Sequence, residues 1–258
     1  MKLHQRTILI TGGTSGIGLE LARQLLSLGN TVIVSGRDQA KINSTRRTLP
    51  GIHVLQSDVS DPLAVAALHQ DVLAKFPSLD VLVNNAGVMR NLNLDEPRDL
   101  TDLTREIAIN LCGPIWMTQL FLPHLKTRPQ AAIVNVSSGL AFVPLPSSPV
   151  YCAAKAGLHS FSLSLRAQLA GTRVAVVELA PPAVDTPLIS GKFSHDVTTM
   201  RGMAVQLLAK RAIQGIEAGK LEIRPGLSNL LKIMNRVAPE FMLGRMIGIA
   251  KTAKWSSA

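Results

Sequence analysis

The chain holds one tyrosine, Tyr151, four residues before Lys155 and thirteen after Ser138. Four residues is about one helical turn, so a helix over 150–170 sets the phenol and the ammonium on one face. A cation held beside a phenol favours the phenolate and draws its pKa down from about 10, which suits the group to move a proton near neutral pH. The Tyr-x-x-x-Lys spacing is common by chance and gains meaning from what precedes it. Near the N-terminus, Arg6-Thr7-Ile8-Leu9-Ile10 runs into TGGTSGIG, residues 11–18, and then into Ile17, Leu21, Leu25 and Leu28 at helical spacing. That order reads as strand, glycine loop, helix. Such a loop lets backbone approach a pyrophosphate, and the helix start offers free N–H groups to an anion.

The elements that must position these groups alternate along the chain. Apolar, β-branched runs at 31–34, 52–55, 79–83, 131–136, 173–179 and 220–223 are separated by stretches of helical character, one from Asp38, one opening near Asp61-Pro62 with proline in the first turn. Continuous apolar strands alternating with helices predict a parallel sheet covered on both faces. Ligands of such sheets bind at the carboxyl ends of strands. The polar punctuation collects there: the glycine loop, Asp58, Asn84-Asn85-Ala86-Gly87, Ser138 and the turn from Pro181.

At 258 residues the chain has room for one large α/β domain with a substantial core. Hydrophobic residues make up 47% and charged ones 17%, yet no apolar run approaches the ~18 residues of a membrane span. The first strand begins almost at once, leaving no room for a signal peptide. Cys112 and Cys152 form no disulfide framework, and the six histidines show no ligand spacing, so no metal site is expected. A cytoplasmic protein is the simplest reading. The net charge of +10 asks for an anionic partner. From Ser190 onward, 11 Lys/Arg stand against 4 Asp/Glu. The cations are dispersed and no nucleic-acid motif appears, so a phosphorylated cofactor and a basic surface explain the excess better than nucleic acid.

Residues 5–225 resemble the short, roughly 250-residue branch of the short-chain dehydrogenase/reductase superfamily. TGGTSGIG matches its TGxxxGIG, residues 84–87 match its NNAG, and Asn110, Ser138, Tyr151 and Lys155 match its catalytic tetrad in order and spacing. The stretch EIRPGLSNLLKIMNRVAP is similar to a subgroup of oxidoreductases named for D-alanylation operons. The resemblance implies a Rossmann-type, doubly wound sheet of about seven strands whose usual core ends near residue 224; the apolar spacing of residues 226–258 reads as a helical C-terminal appendage. It implies that Gly12, Thr14, Ser15, Gly16, Ile17 and Gly18 form the pyrophosphate loop and that Asp58 and Val59 lie against adenine. Asn85, Ala86 and Gly87 would pass beside the adenine ribose, while Pro181, Val184 and Thr186 would border the nicotinamide. Where the family commonly has Pro-Gly, this chain has Pro181-Pro182, a stiffer turn. Lys155 would bond the nicotinamide ribose, and Asn110 would hold a water linking Lys155 to solvent. In carbonyl reduction, Ser138 and Tyr151 would bond the oxygen as it gains charge, with Tyr151 giving the proton.

After the second strand, Ser35-Gly36-Arg37 stands where acceptors of NAD usually carry an acid for the ribose hydroxyls. Arg37 offers a 2′-phosphate a charged fork, which favours NADP(H) over NAD(H), with Asp38 the acid nearest by. The expected activity interconverts a ketone or aldehyde with an alcohol. Competing readings are an NAD-dependent dehydrogenase, an epimerase or dehydratase, and a redox sensor without turnover. The apolar loop 139–146 suggests an apolar substrate, residues 187–202 a lid containing His195, and Arg90 either an exposed loop arginine or a contact for an anionic substrate. A dimer or tetramer is expected through Ala153, Ala154, Ala156 and Gly157. The tail carries two amphipathic, cationic stretches that either pack on the domain or a subunit, or touch an anionic membrane surface.

Overall fold

Each of the seven apolar runs becomes a strand in the computed structural model, which describes residues 1–186 and 202–252. They are β1 (Thr7–Thr11), β2 (Thr31–Gly36), β3 (His53–Gln56), β4 (Leu79–Asn84), β5 (Ala131–Val136), β6 (Val174–Leu179) and β7 (Glu222–Ile223). All pair in parallel in the order β3-β2-β1-β4-β5-β6-β7, so this is a Rossmann-type sheet. β1 pairs β2 on one side and β4 on the other. The crossovers therefore leave in opposite directions, and a crevice opens at the carboxyl ends of β1 and β4.

Strand alternation divides the core. Ile8 and Ile10 pack with Leu21 and Leu25 on one face, whereas Leu9 packs with Met117, Phe121 and Leu165 on the other. All three β1 residues are fully buried, each stabilising the fold by roughly 1.5–3 kcal/mol. The helices are α1 (Gly16–Ser27), α2 (Gln39–Thr48), α3 (Pro62–Lys75), α4 (Leu100–Leu103), α5 (Arg105–Ile107), α6 (Gly113–Thr127), α7 (Pro149–Gln168), α8 (Val205–Glu217), α9 (Leu227–Val237) and α10 (Pro239–Thr252). Asp38 and Asp61 cap α2 and α3 through their carboxylates, and Pro62 opens α3. A π-helical turn, Ala108–Cys112, joins α5 to α6. Residues 187–201 of the expected lid, including His195, lie outside the described residues, as does Lys254 of the tail.

Candidate active site

The glycine loop and the Asn-Asn-Ala-Gly segment are clasped together by Thr11, the first residue of TGGTSGIG, to which the sequence reading gave no role of its own. Its hydroxyl accepts from Asn85 N at 3.0 Å and from Ala86 N at 3.1 Å. In return, the Asn85 amide donates to Thr11 O at 2.9 Å and Gly12 O at 3.3 Å. The asparagine's amide nitrogen is thereby spent on holding the loop. Added side chains clash where the two segments meet: a Cβ on Gly12 (φ +65°) would lie 2.7 Å from Ala86 Cα, and one on Gly18 2.4 Å from Asn85 Nδ2. Ser15 precedes α1 without a side-chain cap, and no acid stands in the helix's first turn. Gly12, Ser15, Gly16 and Ile17 line a cavity of about 950 Å³. The cradle and the uncapped helix start fit an anionic pyrophosphate.

Tyr151, Lys155, Ser138 and Gly87 border the same cavity. Proline at the start of α7 and the buried series Tyr151, Cys152, Lys155, Leu158 and Ser162 fix which side of that helix faces the sheet. The Ser138 hydroxyl acts on the Tyr151 phenol and favours its ionised form. Ser138 also caps the turn Gly139–Ala141 by accepting from Leu140 N at 3.1 Å. Lys155 Nζ lies 5.8 Å from the phenol ring centroid and donates to Val136 O at 2.9 Å. Fully buried Asn110, in the π-helical turn, accepts from Val88 N at 3.0 Å and donates to Val88 O at 2.8 Å. A Cβ on Gly87 would lie 2.9 Å from Asn110 Oδ1 and 3.5 Å from Lys155 Nζ, so this glycine lets the two approach.

Burial sets the electrostatics of the pair. It pushes the Tyr151 phenol up to about 12, against the Ser138 hydroxyl and aided by Cys152 and Glu106. It pulls the Lys155 ammonium down to about 8. The spacing argument predicts the opposite direction for the phenol. Desolvation wins because the ammonium turns to Val136 O instead of the phenol oxygen. The Val88 backbone engages both ends of the Asn110 amide, which fastens the segment after Gly87.

At the far end of the crevice, Arg37 reaches Asp58 at 3.3 Å. Burial opposes ionisation of Asp58, but Ser60 and the Arg37 guanidinium outweigh it and hold the carboxyl below its usual range. Val59 is buried beneath it and packs against Gly113. The Asp38 carboxylate accepts from Ala40 N at 2.9 Å and Lys41 N at 3.1 Å. Thr14, Gly36, Arg37, Asp38 and Lys41 line this end of the cavity. The Pro181-Pro182 turn is accommodated: Pro181 O accepts from Gly139 N, and Met203 pairs with Val184 to pin the following segment. Pro181, Val184 and Thr186 reach the cavity wall.

Two expectations change. Arg90 is neither an exposed arginine nor free for a substrate: its Nη1 lies 2.9 Å from both Asp102 oxygens, and its Nε 3.8 Å from buried Glu106. Of the four small residues on α7, Ala154 is buried and Gly157 closes against Leu111 of the same chain, leaving only Ala153 and Ala156 exposed. The tail supplies residues to the cavity that the sequence did not assign. Leu227 and Leu231 of α9 and Met246, Ile249 and Ala250 of α10 line it with Leu140 and Leu145. Asn235 Nδ2 donates to Phe142 O at 2.8 Å, and Lys232 sits 5.1 Å from the Phe142 ring centroid, tying the tail to the loop after Ser138. Helical spacing was the only signal available, and it does not say where the helices dock.

Residues 6–196 match the short chain dehydrogenase family. An uncharacterized oxidoreductase of Bacillus subtilis, DltE, is 46% identical over 224 residues, 86% of this chain and 89% of that protein. Among solved structures, a short chain dehydrogenase from Burkholderia cenocepacia in complex with NADP has a TM-score of 0.82 at 25% identity, covering 96% of this chain and 99% of that one. A short chain dehydrogenase/reductase from Burkholderia phymatum in complex with NAD also has a TM-score of 0.82, at 22% identity, covering 92% and 95%. With the uncapped helix start, the glycine cradle and the serine–tyrosine–lysine cluster on one crevice, the chain belongs to the short-chain dehydrogenase/reductase family of nicotinamide-dependent oxidoreductases.

Proposed function

We propose that this chain is an NADP(H)-dependent oxidoreductase that interconverts an apolar ketone or aldehyde with its alcohol. The observation that carries the reading is the meeting of Ser138, Tyr151 and Lys155 on the cavity that the glycine loop also lines. When bound, the nicotinamide group supplies or accepts the hydride. Ser138 and Tyr151 donate to the carbonyl oxygen while charge builds on it, and Tyr151, protonated at neutral pH, gives up its proton. Lys155, with one donor on Val136 O, stabilises the phenolate left behind and bonds the ribose. Asn110 holds the Val88 backbone and so the wall beside Gly87.

The preference for NADP(H) rests on Arg37 and Lys41 at the cavity's far end, with the Asp38 carboxylate committed to capping α2. A 2′-phosphate meets two cations there, and Arg37 exchanges Asp58 for it. The substrate class rests on the apolar wall of Leu140, Leu145, Leu231, Met246 and Ile249. Subunit pairing falls to the exposed side of α7 at Ala153 and Ala156. The test is cofactor oxidation over a panel of apolar ketones and aldehydes, comparing NADPH with NADH and wild type with Tyr151→Phe and Arg37→Ala. Turnover falls about 10²–10⁴-fold in Tyr151→Phe with NADPH binding intact. Arg37→Ala raises the KM for NADPH and leaves that for NADH in place. A Phe variant as active as wild type removes Tyr151 from the chemistry.

A further inference from the structure

The helices that roof the cavity also carry much of the exposed apolar surface. Of thirteen exposed large apolar side chains among the described residues, seven belong to α9 and α10. On α9, Leu227, Leu230, Ile233 and Val237 recur every three or four residues and so form one stripe, more than half exposed along its length. On α10, Leu243 and Ile247, one turn apart, add an exposed apolar pair, and Phe241 stands exposed on the other side of its buried face. The buried side of the pair is already committed: Leu231, Met234, Met242 and Met246 pack with Val143, Leu145 and Tyr151. The exposed stripe is therefore what remains after the helices have docked, not a face still waiting for this chain's own core.

Two further observations say what covers it. Arg236, Arg245 and Lys251 are exposed on the same two helices and form no ion pair among the described residues, while Glu240 is the one acid there. A second copy seated on this stripe by a two-fold axis brings these cations toward their own equivalents, whereas an anionic surface neutralises them. Second, Leu207 and Leu227 are both exposed and part of the cavity wall, so the mouth of the cavity opens at the edge of the stripe.

We propose that α9 and α10 dock this protein on an anionic lipid surface, and that its substrate is a lipophilic carbonyl compound taken from that surface. The apolar stripe enters the boundary between headgroups and acyl chains, and Arg236, Arg245 and Lys251 meet the lipid phosphates. No helix among the described residues is long and apolar enough to cross a membrane, so the contact is peripheral. The substrate half of the proposal rests on the oxidoreductase reading above; the docking half does not.

The experiment is flotation of the full chain with vesicles of phosphatidylcholine or of equimolar phosphatidylcholine and phosphatidylglycerol, at low and high salt. Wild type is compared with Leu230→Asp/Ile233→Asp and Arg236→Glu/Arg245→Glu, none of which lines the cavity. Wild type floats with the phosphatidylglycerol vesicles, less so at high salt, and each double variant binds about tenfold more weakly or worse. NADPH binding, thermal melts and turnover of a water-soluble ketone stay as in wild type, which separates lost docking from lost folding. With a long-chain aldehyde, the anionic vesicles lower the apparent KM of wild type but not of the Asp variant. Failure to float at low salt, or undiminished binding in both variants, overturns the docking whatever the turnover. A wild-type dimer that the Asp variant splits, with no vesicle binding by either, assigns the stripe to a second copy and likewise overturns it. Vesicle binding without turnover of any carbonyl leaves docking standing and removes the oxidoreductase reading beneath the substrate claim.

Discussion

Tyr151 and Lys155 are moved away from their ordinary pKa values by one cause, burial, in opposite directions. With the phenol at about 12 and the ammonium at about 8, both groups are protonated at pH 7. Their effects on stability have opposite pH dependence. Below pH 8 Lys155 is charged in the folded and unfolded chain alike and bears its full desolvation cost, about 3 kcal/mol from the shift of 10.5 to about 8. Between about 8 and 10.5 the unfolded chain holds more protons than the folded one, so that cost fades as pH rises. Tyr151 adds the reverse above pH 10, where the unfolded phenol ionises first and stability falls as pH climbs toward 12. Lys155→Met should therefore stabilise the cofactor-free chain by about 2 kcal/mol at pH 7, the desolvation gain less about 1 kcal/mol for the lost bond to Val136 O. Urea melts at pH 7 and pH 10 read this directly: the gain shrinks at the higher pH, while turnover is lost at both. A variant weaker than wild type at pH 7 refutes the burial cost. The types and spacing of these two residues were plain in the sequence, but the sign of the tyrosine shift was not. Spacing places two groups on one helix face; it does not say that the ammonium turns to a strand carbonyl.

At the scale of the element, the strands and the glycine loop were legible because they rest on local pattern. β-branched runs and a glycine triplet keep their meaning whatever surrounds them. The clasp between loop and β4 was not legible, since Thr11 looks like any strand-end threonine until Asn85 is beside it. Gly18→Ala tests that clasp. Its Cβ would stand 2.4 Å from Asn85 Nδ2 and 2.7 Å from Gly12 O, so the amide must leave its two carbonyl partners. The expected loss is about 1–3 kcal/mol of stability and a clear weakening of NADPH binding, read by thermal melts and fluorescence titration. Gly244→Ala on α10 is the control, because an added Cβ there meets nothing within 4 Å. It should leave stability unchanged or raise it by up to about 1 kcal/mol. The short helices α4 and α5 and the π-helical turn escaped the sequence reading, having too few residues to show a period. They matter because the turn seats Asn110 against Val88.

Across the whole molecule, the tail turns the open crevice at the carboxyl ends of the strands into a roofed cavity. Met246 touches both Tyr151's cluster and the cavity wall. Met246→Ala should raise the KM for an apolar carbonyl roughly tenfold or more while NADPH affinity stays put, a split that steady-state kinetics and cofactor titration separate. Equal losses in both would mean that the roof holds the whole site together instead of fitting the substrate. By itself the sequence determined the order of the strands and of the helices between them long enough to show a period, the parallel sheet, the glycine loop and the serine–tyrosine–lysine spacing, because each depends on neighbours a few residues apart or on fixed spacing. The tertiary structure alone decided that Arg37 meets Asp58, that Arg90 is consumed by Asp102 and Glu106, and that the tail roofs the cavity with one face and leaves the other bare. Burial and long-range contact depend on which surface meets which, and local pattern carries no record of that.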